Sequence, residues 1–433
     1  MSTTSSLIVK NDKRTVNGWA LFDWANSAYN LVITSAIYPA YFMQVTPLVI
    51  VVLGMNASNS AFYAFAIAFA NLLIATLSPI LSGIADYSGR KKWFLRMFTT
   101  MGSISCLAML PVYHYLSGDA AIFTGIACFI LAAVGFGGSW VFYNAYLPEI
   151  VTEDQYDRVS ARGFMMGYLG STILMLMSLV VIRNYDKLGF SSELTAIPVA
   201  FAMVGIWWIS FSQITFRRLP PDNKQPFPKD AWTSGFRELK KVWEKVKHQA
   251  NTKRFLLAFF AYSAGVQTII VLAATFAEKE LNFGTQDLII LLLILQYVGL
   301  AGAYLFARVS EWKGNIFSLL VMLFIWISMC VLAYFIQTKS QFYGLAAGVG
   351  LVMGGIQSLS RSTYAKLIPM NTKDTASYFS FYDVLEKVAI VLGTFSFGFI
   401  DQLTGGMRNS ILALIVFFAT GIVLLWKVRI TNK

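Results

Sequence analysis

Charge and histidine are both scarce in this chain. Only 13% of its 433 residues are charged and two are histidine, whereas 57% are hydrophobic. So few polar side chains cannot cover a water-soluble globule of this size, which leaves a lipid bilayer as the natural solvent. Cysteine is scarce too. Cys106, Cys128 and Cys330 all lie in apolar stretches, which excludes a disulfide framework or thiolate cluster and makes them packing residues. The two histidines, His114 and His248, fall in segments expected at opposite membrane faces, so no metal site is expected. No glycine-rich phosphate loop ending in Lys-Ser or Lys-Thr occurs either. Intramembrane hydrolysis and ATP-driven pumping therefore lack their parts, and neither enzymatic activity nor a cofactor is expected. The opening residues, MSTTSSLIVKNDKRTVNG, are polar and basic without a short apolar run ending in small residues, so no cleavable signal peptide is expected.

What the chain has in abundance is apolar length. A bilayer core takes about 20 mostly apolar residues per helical span. Such stretches recur near 19–43, 58–85, 93–117, 120–147, 158–182 and 194–215, then near 254–278, 286–308, 315–336, 341–365, 376–400 and 408–427. The expectation is an all-α membrane protein with twelve transmembrane helices. Residues 44–54 are apolar enough that the first span runs on or bends at Pro39. The basic residues, which give a net charge of +12, sit between spans rather than in one patch, so they report topology and not a nucleic-acid partner. Lys10, Lys13, Arg14, Arg90–Lys92, Arg158, Arg162, the whole stretch from Arg217 to Arg254, Lys366, Lys373 and Lys427 fall on one side. By the positive-inside rule both termini and the central loop are cytoplasmic, in what is expected to be a bacterial inner membrane.

The longest hydrophilic stretch divides the chain into 1–216, a linker over 217–253, and 254–433, the layout of a two-bundle carrier. Within the linker, Leu219–Pro228 is proline-rich and extended. Phe236, Leu239, Val242, Trp243 and Val246 then share one helical face, with lysines elsewhere. That segment reads either as an amphipathic helix on the anionic inner leaflet or as a solvated linker touching the bundle.

The two halves also echo each other. The fourth span ends in NAYLP, Asn144 to Pro148, and the fifth opens with SARGFMMGYLG, Ser160 to Gly170. The tenth ends in SRSTYAKLIP, Ser360 to Pro369, and the eleventh opens with SYFSFYDVLEKVAIVLG, Ser377 to Gly393. A weak self-match at the same place in each half is what parallel repeats leave behind, and it supports two pseudo-symmetric bundles of six helices. Gly135, Gly137 and Gly138, and Gly344, Gly348, Gly350, Gly354 and Gly355, let neighbouring helices approach closely.

Between the second and third spans the chain reads SGIADYSGRKK, Ser82 to Lys92. Asp86 can accept from backbone amides or a cation, Gly89 permits a tight turn, and Arg90, Lys91 and Lys92 hold the loop in the cytoplasm. This resembles the signature loop of the major facilitator superfamily, departing from it at Ser82 and Tyr87; the matching GAYLFARVSEWKGN, Gly302 to Asn315, keeps basic residues but lacks the Asp. The resemblance implies the major facilitator fold and a loop that latches the halves together. The opening NGWALFDWANSAYN, Asn17 to Asn30, with the NAYLP and SARGF joints and Ser360-Arg361-Ser362, is similar to the vacuole-effluxer-like branch, its bacterial members in particular. That similarity implies secondary transport of amino acids or related small metabolites.

Ionisable groups inside a bilayer are expensive, so each is a functional candidate. Asp23, Asn26 and Asn30 form a polar stripe on the first span, facing a central cavity or, for Asp23, satisfying the first turn. Asp383, Glu386 and Lys387 lie within one and a half turns of the eleventh span; Asp383 and Lys387 are four apart and able to pair. Lys387 lies roughly 15 Å along the helix from Ser377, near the midplane, where it either meets a substrate carboxylate or fills a static ion pair. Arg162 and Arg361 hold comparable cytoplasmic ends, as gates facing Asp23, Glu149 or Asp383, or as side chains snorkelling to the headgroups. Gln267, Gln296 and Gln357 either line the cavity or bond between helices. A small-molecule substrate, the surrounding lipid, a coupling proton and a monomeric state are expected. A broad-specificity exporter is the alternative, in keeping with Met165, Met166, Met175 and Met177.

Overall fold

The structure is a computed structural model that describes residues 9–52, 54–223, 230–370 and 372–430. It is almost entirely helical. In a bilayer every backbone polar group must be satisfied within the chain, and helices do this segment by segment. The first helical rod comprises α1 (Lys13–Ala28), a π-helical segment (Tyr29–Ile37) and α2 (Tyr38–Val45). Pro39 sits in the first turn of α2, where its missing N–H costs little. The chain does not continue as helix beyond Val45. The β-branched run Val49–Val52 pairs antiparallel with Met55–Ser58 (β1 and β2), Val49 opposite Ser58, and Gly54 takes φ +80° in the turn. Residues 46–52 thus leave the helix and enter a strand, correcting the expectation that the first helix runs on through them.

The remaining long helices are α3 (Asn59–Ser88), α4 (Lys91–Tyr115), α5 (Gly118–Ala145), α7 (Tyr156–Arg183) and α8 (Glu193–Arg218), with a single turn α6 (Leu147–Ile150) before α7. After them come α9 (Ala231–His248), α10 (Ala250–Leu281), α11 (Thr285–Lys313), α12 (Asn315–Phe335), α13 (Lys339–Leu367), α14 (Thr375–Thr404), α15 (Met407–Ala413) and α16 (Ile415–Leu425). Local signals start several of them. Ser58 accepts from the Ala61 amide, Ser192 and Thr195 cap α8 reciprocally, and Thr338 and Gln341 do the same for α13. Among the described residues ten helices are long and apolar enough to cross a membrane. The broken first rod and α14 are not among them; α14 carries Asp383, Glu386 and Lys387 within its length.

The chain forms two compact units, Lys13–Tyr143 with Met166–Ala231, and Met1–Asp12 with Asn144–Met165 and Trp232–Lys433. In the first, α4 packs on α8, and α8 on α1. Its core is aromatic: Trp19 stacks on Tyr143 at 4.4 Å between ring centres, and Tyr38 on Phe129 at 4.9 Å. In the second, α11 lies closest to α13. A Cβ on Gly354 would run into the Gly299 carbonyl, and one on Gly302 into that of Leu351, so both glycines let the backbones touch. Gly350 is near Leu295 on the same helix pair, whereas Gly344 faces open space, so the glycine spacing marks a contact over part of α13 only.

The start of the linker is anchored. Asp222 accepts the Lys92 and Trp93 amides at 2.8 and 3.0 Å, capping α4 from outside, and Lys92 Nζ donates to the Leu219 carbonyl at 2.7 Å. Burial pushes the Asp222 carboxyl above its usual range, against the opposing pull of those amides and of the Lys92 and Arg96 charges. The proline-rich stretch 219–228 lies partly outside the described residues, as do the first eight residues of the chain.

Candidate functional site

In the first unit a carboxylate stands in the core, on α1. Asp23 is fully buried on α1 and accepts from the Tyr143 hydroxyl at 3.0 Å and Ser27 Oγ at 3.2 Å. Tyr143 is itself fixed, because Trp19 Nε1 donates to its carbonyl at 2.9 Å and the two rings stack. Asn26, also buried, accepts from Ser139 Oγ at 3.4 Å, while Asn30 is exposed. The polar stripe therefore has two members in the core and one outside it. Asp23 lies in the third turn of a helix that starts at Lys13, too deep to satisfy a first turn.

In the signature loop, Gly89 ends α3 with φ +64°, a conformation that suits glycine. A Cβ there would also press on the Asn223 carbonyl. Asp86 pairs with Lys91 at 3.2 Å, and Arg90 supplies the residue before the first turn of α4.

The second unit brings the two repeated joints together. Arg361 on α13 is 1% exposed. Its Nη1 donates to Asn144 Oδ1 at 3.1 Å, Nη2 to the Ser160 carbonyl at 2.7 Å and Nε to Ser160 Oγ at 2.9 Å. The Phe164 ring lies 4.3 Å from the guanidinium. Ser160 Oγ in turn donates to the Ser358 carbonyl at 2.7 Å, and Thr375 Oγ1 to Glu149 at 2.7 Å. Arg361 is thus buried and fully engaged, not snorkelling, and it differs from Arg162, which is exposed.

Beside it lies a cluster that the sequence did not announce. Asp157, 4% exposed in the first turn of α7, accepts from Lys366 Nζ at 2.7 Å, Asn315 Nδ2 at 2.7 Å and Ser310 Oγ at 3.2 Å. Asn315 Oδ1 also accepts from Lys366 at 2.8 Å, and Thr363 Oγ1 takes the Asn315 amide at 3.0 Å. Ser310 and Asn315 belong to GAYLFARVSEWKGN, the segment that lacks the Asp of the signature loop. Asp157 supplies one from another helix. Since its partners stand 153 or more positions away, no local pattern could have paired them.

Deeper in α14, Glu386 accepts from Gln267 Nε2 of α10 at 2.7 Å, joining two of the residues singled out from sequence. Asp383 is 2% exposed, and neither carboxylate oxygen has a hydrogen-bond partner among the described residues. Asp383 and Lys387, four apart on α14, form no close ion pair among the described residues, although the Lys387 charge acts on the Asp383 carboxylate; Asp383 is buried and Lys387 half-buried. Nearby, Tyr262 and Ser360 share a hydrogen bond at 2.7 Å, and Tyr382 stacks on Phe259 at 4.0 Å. Gln296 is half-buried on α11 with its Oε1 unbonded among the described residues, and Gln357 is half-buried on α13.

A helical chain with apolar spans, buried charges and duplicated joints defines a membrane carrier, and comparisons with known proteins agree. The solved major facilitator superfamily proton:xylose symporter XylE superposes with a TM-score of 0.68 over 98% of this chain and 95% of its own, at 14% identity, which shows the major facilitator fold. Residues 11–433 match the model of the family described as vacuole effluxer Atg22 like, and the chain belongs to that family. It is 32% identical over 425 residues to the uncharacterized MFS-type transporter YxiO of Bacillus subtilis strain 168, covering 96% of this chain and 95% of that one. Autophagy-related protein 22-1 of Aspergillus clavatus is 24% identical, over 87% of this chain and 75% of its own. Family and fold are those of integral membrane transporters of small molecules, not of enzymes.

Proposed function

We propose that this protein carries amino acids or closely related zwitterions across a bacterial inner membrane by alternating access, coupled to protons. Its first rod and α14 complete a set of twelve spans in two six-helix bundles, with both termini cytoplasmic. The observation that carries the substrate reading is the polar group on α14: Glu386 held by Gln267, with Lys387 one residue further along. A cation and an anion side by side in an apolar helix match the two ends of a zwitterion, and desolvation makes each a strong determinant. The effluxer character of the family and the proton:xylose symport of the structural neighbour XylE support export and proton coupling respectively. Asp23 and Asp383, both buried carboxylates, are the candidates to carry the proton.

The joints around Arg361 and Asp157 form the cytoplasmic gate in this reading. They tie the α7 start to α11, α12 and α13 by bonds that must break when the carrier opens to the cytoplasm.

Ligand-induced stabilisation tests the substrate class independently of any transport assay. Purified protein is heated with each amino acid, with the corresponding amine lacking the carboxylate, and with the corresponding acid lacking the amine. A ligand at 100 times its Kd stabilises by about 2.7 kcal/mol. The proposal expects a raised Tm with at least one intact amino acid and none with its two truncated forms; stabilisation by the amine or the acid alone contradicts it. A broad-specificity exporter has one observation in its favour, an apolar cavity lined by Leu272, Phe276, Leu291, Met329 and Phe342. Stabilisation by uncharged apolar compounds would select that reading instead.

A further inference from the structure

The linker helix α9 uses its two sides differently. Val242 and Val246 are 0% and 2% exposed, Lys245 pairs with Asp374 at 2.7 Å, and Asp374 immediately precedes α14. That side is docked on the protein. Phe236 and Trp243, by contrast, are 56% and 51% exposed, and Lys240 and Lys247 are exposed as well. At 3.6 residues per turn, these four side chains fall on one strip about 60° wide, rotated away from the docked valines. Glu244 lies beyond the edge of the strip, and Glu238 is occupied by Lys241 at 3.1 Å.

Two large exposed apolar rings interleaved with two lysines suit a bilayer interface, where rings enter the headgroup boundary and ammonium groups meet lipid phosphates. Trp243 leans on Phe381 of α14, 5.7 Å between ring centres, yet stays half exposed beside Phe236 two turns away, and water alone gives no reason to leave both rings so. We propose that the Phe236, Lys240, Trp243 and Lys247 strip of α9 is a binding surface for anionic phospholipid of the cytoplasmic leaflet. Lipid held there fixes α9, and through the Lys245–Asp374 pair it steadies the start of α14, whose Thr375 also bonds to Glu149. The inference rests on the cytoplasmic orientation given above but not on the identity of the substrate.

The test is amide hydrogen exchange of the full chain in nanodiscs of phosphatidylcholine alone and with 30% phosphatidylglycerol, about the anionic content that gives a strong surface potential. For the wild type, exchange across 236–248 is expected to slow about tenfold in the anionic discs, and 0.5 M salt should reverse much of this. Lys240→Gln/Lys247→Gln should exchange alike in both lipids, and Phe236→Ala/Trp243→Ala should lose the protection. Lys241→Gln, on another side of the helix, should behave as wild type, which controls for general loss of charge. Equal wild-type exchange in the two lipids, or undiminished lipid dependence in the Lys240/Lys247 variant, overturns the proposal.

Discussion

At the scale of single residues, the most consequential side chains are those whose charge is out of water. Arg361 fills its donors with Asn144 and Ser160, and the planar fork makes the bonds to Ser160 together. Lysine keeps the charge but not the fork. Arg361→Lys is therefore expected to lose about 1–3 kcal/mol and Arg361→Ala somewhat more, because buried acceptors are left unsatisfied; unfolding in detergent, followed by Tm, checks this. Lys387 is a different case, being half-buried and in electrostatic reach of Asp383 and Glu386 but without a close ion pair to either among the described residues. Lys387→Ala should leave Tm within about 2 °C of wild type, a small effect for a side chain without a structural bond. It should weaken binding of a carboxylate-bearing substrate roughly 10- to 100-fold, the worth of one charged hydrogen bond. Unchanged binding would remove Lys387 from the site.

Between elements, Asp157 joins the start of α7 to α11, α12 and α13 through Ser310, Asn315 and Lys366. Asp157→Ala leaves a largely buried ammonium without its counter-ion, a loss of about 3–5 kcal/mol. Adding Lys366→Met should recover most of it, because the uncompensated charge is gone. A double-mutant cycle giving less than about 0.5 kcal/mol of coupling would show that the pair is not the joint described. Helix contacts admit a steric test as well: Gly354→Val places a branched side chain against the Gly299 carbonyl and should separate α11 from α13, seen as sharply lower yield of folded protein. Gly344→Ala, facing open space, should cost little.

Across the whole molecule, composition and apolar length were enough to read a helical membrane protein, and the helix positions agree with the structure within a few residues. The span near 58–85 is Asn59–Ser88, and that near 158–182 is Tyr156–Arg183. Misreadings arose where local chemistry competed with apolar length: Val49–Val52 is as hydrophobic as a helix but β-branched, and became a strand. Of the candidate site, Asp23, Glu386, Gln267 and Arg361 were visible because a charge or amide in an apolar run stands out. Asp157, Asn315 and Lys366 were not, since helix ends are ordinarily polar and only tertiary packing shows which are buried. The repeated joints at Asn144–Pro148 and 360–369 were legible as a self-match, yet only the structure shows that Arg361 of one grips Asn144 and Ser160 of the other.

The central claim, a proton-coupled carrier of amino acids, is tested most directly by counterflow. Purified protein is reconstituted into liposomes loaded with unlabelled amino acids, and entry of a labelled pool is followed with and without an inward proton gradient. The account predicts labelled uptake above protein-free liposomes, a change in rate with the gradient, and loss of both in Lys387→Ala. Absence of uptake for every amino acid, by protein that remains folded in the liposomes, would contradict it.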